Sequence, residues 1–187
     1  MDELRRNGDV KAIGLGVNEW EACEAAMDHG QWDVFLLAGR YTLLEQAPLD
    51  SFLPRCQREG VSVVVGAPLN SGILASGAVK GATYNYGPPS PEIFARVKGI
   101  EDVCRSYGVP IAAAAFQFML SHPSVASVIP GMSSRAQLEW NVARMTQAIP
   151  ASLWADLKTQ GLVRGDAPIP TASGQADGSG VGAHLSA

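Results

Sequence analysis

Apolar and polar positions along the chain fall into two interleaved patterns. Four short runs of β-branched and other apolar residues, at 12–17, 33–37, 61–66 and 125–129, read as β-strands. The third is nearly continuous valine (Val61, Val63, Val64, Val65), the composition of a parallel strand covered on both faces. Between the strands the apolar residues recur at helical spacing. Residues 19–29 follow Asn18, a suitable N-cap, and stop before Gly30. Residues 49–59 carry Leu49, Phe52, Leu53 and Cys56 on one face and stop at Gly60. Residues 91–107 begin with proline in the first turn and close at Gly108. Residues 110–121, with Ile111, Phe116, Met119, Leu120 and an alanine run, are apolar nearly all round, which predicts a deeply buried helix. A last helix near 151–160 carries Leu153, Trp154 and Leu157. Residues 2–7 read as the end of a helix with no strand before it, so the chain is expected to open in the middle of an architectural unit.

Alternating strands and helices predict an α/β fold with a parallel sheet and right-handed crossovers. Four βα units do not close a (β/α)₈ barrel, which takes eight strands and about 250 residues. Half of such a barrel and a small open α/β sheet both fit. From Gly165 onward Gly, Ser and Ala dominate, with no Lys or Arg. Residues 1–164 are therefore expected to fold and residues 165–187 to form a flexible tail.

Composition narrows the function classes. The 187 residues are 47% hydrophobic and 17% charged, as expected of a chain with a real core. A net charge of −4 gives no electrostatic case for nucleic acid or an anionic membrane. No run approaches the ~20 apolar residues of a membrane span, and Met1-Asp2-Glu3-Leu4-Arg5-Arg6 is too polar for a signal peptide. A cytoplasmic protein is expected. Cys23, Cys56 and Cys104 are widely spaced and lack metal-ligand pairing, the pattern of free buried thiols.

The most informative chemistry lies between Val125 and Asn141. A strand ends at Ile129, Pro130-Gly131 turns the chain, and a helix begins among Ser133, Ser134 and Arg135. Such a junction aims backbone N–H groups and the positive end of a helix dipole at one spot, which suits a phosphate. Arg135 adds a planar donor fork and the serines add hydroxyls. Gln137 and Asn141, four apart, are expected on one helix face. The loop Ala67-Pro68-Leu69-Asn70-Ser71-Gly72-Ile73-Leu74 leaves the C-terminal end of the third strand, where ligands of parallel sheets bind. Small residues there admit a pyrophosphate and Ser71 can donate to it, although an ordinary proline-containing βα turn reads the same way. The stretch running to Ser90, with Tyr84 and Tyr86, has the length of a lid or of a merely mobile loop. Tyr41, after the second strand, can stack on a flat cofactor ring or pack half-buried. Asn18 can cap a helix or meet a ligand carboxamide. His29, His122 and His184 have no Ser, Cys or carboxylate at a diagnostic spacing, so no catalytic residue and no metal site is assigned.

Taken in order, several segments resemble the C-terminal half of the aldo-keto reductase family. They are Ile13-Gly14-Leu15-Gly16-Val17-Asn18-Glu19, Arg40-Tyr41-Thr42-Leu43-Leu44, Pro68-Leu69 with Gly72 and Leu74, and Ile129-Pro130-Gly131 leading to Gln137 and Asn141. Residues 35–46, 81–86 and 122–128 look most like the D-threo-aldose (L-fucose) dehydrogenase and pyridoxal 4-dehydrogenase branch. The resemblance implies a TIM (β/α)₈ barrel of which these are strands five to eight. It implies NAD or NADP as cofactor and, in a full-length enzyme, an aldose or pyridoxal as small-molecule substrate, with a sugar C1 hydroxyl oxidised to a lactone. By the same resemblance Asn18 meets the nicotinamide carboxamide and Tyr41 stacks on its ring. Pro68, Leu69, Ser71 and Gly72 run along the pyrophosphate, while Gly131 leads into Ser133, Arg135, Gln137 and Asn141 at the adenosine end.

Val17, Ala38 and Trp140 stand where many members carry serine, glutamine and glutamate, leaving NAD and NADP both open. The family's catalytic Asp, Tyr, Lys and His come from its first four strands, so the chain alone is expected to be inactive. A non-catalytic half-barrel module that needs a partner is the alternative, with unpaired strand edges inviting self-association. A small phosphate-binding domain is a third reading.

Overall fold

The computed structural model describes residues 1–171. Four strands, β1 (Gly14–Val17), β2 (Val34–Ala38), β3 (Ser62–Gly66) and β4 (Val125–Ile129), form one parallel sheet in the order β1-β2-β3-β4. All four strands stand where hydrophobic patterning puts them. Helix α1 (Asp2–Arg6) precedes β1, α2 (Trp20–Ala26) joins β1 to β2, and α3 (Phe52–Glu59) joins β2 to β3. The β3–β4 connection holds the single-turn α4 (Ile73–Ser76), then α5 (Pro91–Ser106) and α6 (Ile111–Leu120). Helices α7 (Arg135–Met145) and α8 (Ala151–Thr159) follow β4.

The strand pleat sorts residues by face. Phe35, Leu37, Val63 and Val65 are fully buried beneath the helices, together with Phe52, Leu53, Phe116, Phe118 and Trp154. Helix α6 carries eight buried residues, as its all-round apolar composition requires. Among the described residues the other sheet face has no helical layer. Leu36 is exposed there, and the alternate strand positions Gly16 and Ile129 are exposed with it. The valine run therefore does not mark a strand covered on both faces: Val63 and Val65 are buried while Val64, on the bare face, is only half-buried. β-branched content set the strand but could not report which faces the described residues cover.

Gly14 fixes the close approach of β1 to β2. A Cβ at that position would lie 1.8 Å from the Val34 carbonyl oxygen, so no larger residue fits without moving backbone. Beside it the Asp33 carboxylate accepts from the Ile13 backbone N–H and from Arg5, both at 2.8 Å, tying α1 to the start of the sheet. The backbone N–H, with Arg5 adding to it, holds the Asp33 carboxyl below its ordinary value.

Ordered packing continues past the composition change at Gly165. Ala167 is buried and Ile169 packs on the core. Arg164 pairs with Asp50 and Asp166, and its backbone N–H donates to buried Gln46. The expected tail boundary is thus several residues early, because apolar periodicity cannot register two isolated contacts. The remainder of the tail, 172–187, lies outside the described residues. The three cysteines are free and buried, and burial pushes Cys23 to about 11 and Cys56 and Cys104 to about 12. They are thiols at neutral pH, with little nucleophilic character.

Candidate functional site

In a parallel sheet the strand C-termini point to one end, and the loops leaving that end carry most of the polar groups able to meet a ligand. Here the loops after β3 and β4 meet in a groove of about 250 Å³. Pro68, Leu69, Ser71, Gly72 and Gly131 line it, with Ala67, Pro130 and Tyr86. Five predicted site residues from two distant segments are thus brought to one place.

The backbone of this groove is unusual. Ala67, Asn70 and Ser71 have φ of 47°, 46° and 61°, and Gly72 has φ of 103°. Left-handed conformations at non-glycine residues are costly and persist where surrounding bonds enforce them. Asn70 supplies one such bond. It is buried, and its Nδ2 donates to the Gly39 carbonyl at 3.1 Å, linking the loops after β2 and β3. Its Oδ1 is buried without a hydrogen-bond partner among the described residues.

The segment after α4 returns over the same groove. Tyr84, Asn85, Tyr86 and Gly87 form a tight turn, closed by Tyr84–Gly87 backbone bonds of 2.8 and 3.0 Å, with φ of 47° at Asn85 and 63° at Tyr86. Positive φ at both central residues is the type I′ arrangement. The Tyr86 N–H donates to Ser71 Oγ at 3.1 Å, and Thr83 Oγ1 donates to the Ser71 carbonyl at 2.6 Å. Arg40 Nη1 donates to Asn85 Oδ1 from the loop after β2. The Tyr86 side chain is 91% exposed at the groove rim. Asn70 and Tyr86 were named from sequence only as members of their loops, without a role of their own. The signal that could have found them was the length of the 77–90 connection and its Asn85-Tyr86 pair.

At the start of α7 the serines and Gln137 cap the helix. Ser134 is the N-cap, its Oγ accepting from the Gln137 N–H at 3.2 Å. Gln137 Oε1 in turn accepts from the Ser133 N–H at 2.6 Å and from Ser133 Oγ at 3.2 Å, a reciprocal arrangement akin to a capping box. Arg135 is exposed and pairs with Glu139 at 2.8 Å. Asn141 is buried, and its Nδ2 has no partner among the described residues. Gln137 and Asn141 therefore do not present a joint amide pair: Gln137 folds back to the cap and Asn141 turns inward.

Two other expectations fail on geometry. Tyr41 is wholly buried, its ring 5.5 Å from Phe118 and 5.6 Å from His122. No ring face is left for a nicotinamide, and burial raises the phenol above its ordinary value. A tyrosine after a strand looks the same in sequence whether it turns in or out. Asn18 ends β1 but does not cap α2: Glu19 is the N-cap position and no side-chain bond is made there. Asn18 is exposed.

A wider groove of about 450 Å³ runs between α5, α6 and α7, lined in part by Ser76, Glu101, Arg105, Trp140 and Arg144. The Arg144 guanidinium lies 4.8 Å over the Trp140 ring. Helix α6 leads into β4 through a short turn, and its first residues, Ile111 and Ala112, line this wider groove. There is no single helix among the described residues long and apolar enough to cross a membrane.

A parallel α/β sheet with a groove at its strand C-termini is the arrangement of barrel and doubly wound folds. The aldo/keto reductase family model matches residues 1–160, and the chain belongs to that family, whose fold is a TIM barrel. Among relatives, it is 41% identical over 163 residues to pyridoxal 4-dehydrogenase of Microbacterium luteolum, covering 87% of this chain and 48% of that protein. It is 38% identical over 164 residues to D-threo-aldose 1-dehydrogenase of a Pseudomonas species, covering 87% and 50%. The chain therefore spans about half the length of these relatives. In fold it matches an aldo-keto reductase of Bacillus halodurans with a TM-score of 0.67 at 24% identity, over 91% of this chain and 56% of that one. It also matches one of Klebsiella pneumoniae, solved with NADP and acetate, with a TM-score of 0.58 at 18% identity, over 91% and 53%.

Proposed function

We propose that this chain is the dinucleotide-holding half of an NAD(P)-dependent aldo-keto reductase barrel, its β1–β4 corresponding to strands five to eight. The observation that carries this reading is the meeting of Pro68, Leu69, Ser71, Gly72 and Gly131 in one groove at the strand C-termini. Backbone there is already held in left-handed conformations, with the Asn70 and Gly72 N–H groups donating to the Ala67 and Leu69 carbonyls, so the loop is shaped before any ligand arrives. Asn70, within the loop that lines the groove, keeps a buried Oδ1 without a partner among the described residues, and Asn141 on α7 keeps a buried Nδ2 in the same state. Ser71 and Gly72 would border a pyrophosphate, and Ser133, Arg135, Gln137 and Asn141 the adenosine end. Gln137 and Ser133 would have to exchange their mutual bonds for ligand bonds, and Arg135 would leave Glu139. An exposed ion pair of that kind is worth about 0–1 kcal/mol, so the exchange is cheap.

Bound nicotinamide would supply hydride acceptance or donation. The residues of this chain would hold the dinucleotide and exclude water from one side of it, with Tyr86 closing the rim. Tyr41, locked in the core, has no part in this. The full enzyme's substrate is proposed to be an aldose or pyridoxal, as the names of the two relatives above have it, oxidised in the aldose case at C1 to a lactone. The chain by itself is proposed to hold cofactor without turning substrate over. Loss of a general acid/base alone removes ~10²–10⁴-fold in rate.

Calorimetric titration of the folded chain with NADP, NAD and inorganic phosphate tests this. Saturable binding of a dinucleotide well ahead of phosphate is expected, with no aldose-dependent appearance of reduced nicotinamide. Equal affinity for phosphate and dinucleotide would favour a plain anion site and reject the cradle.

A further inference from the structure

NAD and NADP differ by one ribose phosphate, and the charges available to meet it at the start of α7 are few. Between Val125 and Ala143 there is one basic residue, Arg135, and one acidic residue, Glu139. They stand four apart on α7, with Arg135 Nε 2.8 Å from Glu139 Oε1 and both side chains largely exposed. Ser133 turns its N–H and its hydroxyl to Gln137 Oε1, and Ser134 Oγ accepts from the Gln137 N–H. The side chains at the start of α7 thus carry no net charge, and both serines are engaged in the helix's own cap. Cations around the two grooves are engaged or stand apart. Arg105 pairs with Glu101 at 3.1 Å and with Asp102 at 2.8 Å, while Arg144 lies over the Trp140 ring. Arg40 donates to Asn85, and neither Arg40 nor Lys80 lines either groove.

We propose that Glu139 makes this cradle select NAD over NADP. The inference rests on the dinucleotide reading above and deepens it by naming the cofactor. A 2′-phosphate brings a charge of about −1.5 to −2 at neutral pH and calls for a free cation, whereas a 2′-hydroxyl brings none. Breaking the exposed Arg135–Glu139 pair costs little, but the carboxylate stays behind. Residues four apart on a helix have Cβ atoms about 5–6 Å from each other. A phosphate that Arg135 reaches is therefore also close to Glu139. Attraction to one and repulsion from the other largely cancel, and the desolvation of the phosphate is left uncompensated. A carboxylate beside a ribose favours NAD in nucleotide-binding folds for the same reason: a hydroxyl can donate to it and a phosphate dianion cannot.

Calorimetric titration of the full chain with NAD and with NADP tests this in wild type, in Glu139→Gln, and in Glu139→Gln combined with Arg135→Ala. Wild type should bind NAD roughly three- to tenfold more tightly than NADP, the scale of one charge interaction at a protein surface. Glu139→Gln frees the Arg135 guanidinium, so NADP should gain most of that factor while NAD changes by less than about twofold. Adding Arg135→Ala should remove the gain. Circular dichroism should be alike in all three, and the ratio of the two affinities is a readout that a merely structural role for this exposed pair would not move. NADP bound as tightly as NAD by wild type, or a ratio unmoved by Glu139→Gln, would overturn selection by Glu139 and leave the cradle standing. Binding of neither dinucleotide by any of the three would reject the cradle, and this inference with it.

Discussion

Replacing Asn70 tests how the groove is held open. Asn70 does two things at once: its Nδ2 donates to the Gly39 carbonyl, and its backbone sits at φ 46°. Asn70→Ala removes the donor and leaves a buried carbonyl without it, at a cost of about 1–3 kcal/mol. Alanine in the left-handed region adds about 1–2 kcal/mol. The sum is a loss of about 2–5 kcal/mol. Asn70→Gly removes the same hydrogen bond but tolerates the backbone, so it should spare about 1 kcal/mol of that loss after its own chain-entropy cost. Urea denaturation at fixed protein concentration reads both variants. With m of about 2 kcal/mol/M, Asn70→Ala should lower the midpoint by about 1–2.5 M, and Asn70→Gly by visibly less. Glycine losing as much as alanine would show that backbone strain is not what Asn70 relieves. Wild-type midpoints in both would refute the bridge itself.

Three further outcomes follow from individual contacts. Gly14→Ala would press a methyl into the Val34 carbonyl, so β1 must separate from β2. A loss of about 1–3 kcal/mol is expected, with faster exchange at β1 amides than at β3. Ser71→Ala removes the acceptor for the Tyr86 N–H. Exchange should quicken at 83–87 while the global urea midpoint moves by less than about 1 kcal/mol equivalent. Buried His122 is held below its ordinary value of 6.5 by desolvation, so the unfolded chain binds its proton first. Stability from this group is full above about pH 6.5 and falls as pH drops toward its folded-state value. His122 Nδ1 accepts from the Ser124 N–H, so His122→Gln should flatten the stability profile between neutral and mildly acid pH even as it lowers stability overall.

The strands were legible because each sets a short apolar run between glycine or polar turns, and buried positions in Phe35, Leu37, Val63 and Val65 follow the pleat. Helix α6 was legible from its alanine-rich, all-apolar composition. What escaped was orientation. Tyr41 and Asn141 both turned inward, and hydrophobic pattern has no term for which way one polar residue at a loop or helix end will point. Ser71, Gly72 and Gly131 could be named from their places after strands. The roles of Asn70 and Tyr86 could not be assigned, because they come from contacts 31 and 15 residues away. The bare sheet face was also hidden, since valine at Val64 reads alike whether covered by its own chain or by another layer.

Amide-resolved NMR of the folded chain titrated with NADP tests the central claim most directly. The account predicts saturable shifts concentrated at Leu69, Ser71, Gly72, Gly131, Ser133 and Gln137, with Thr42 and Leu43 beside the buried Tyr41 unmoved. Shifts centred on Tyr41 and its neighbours, or none at the 69–72 and 131–137 segments at saturating NADP, would contradict it.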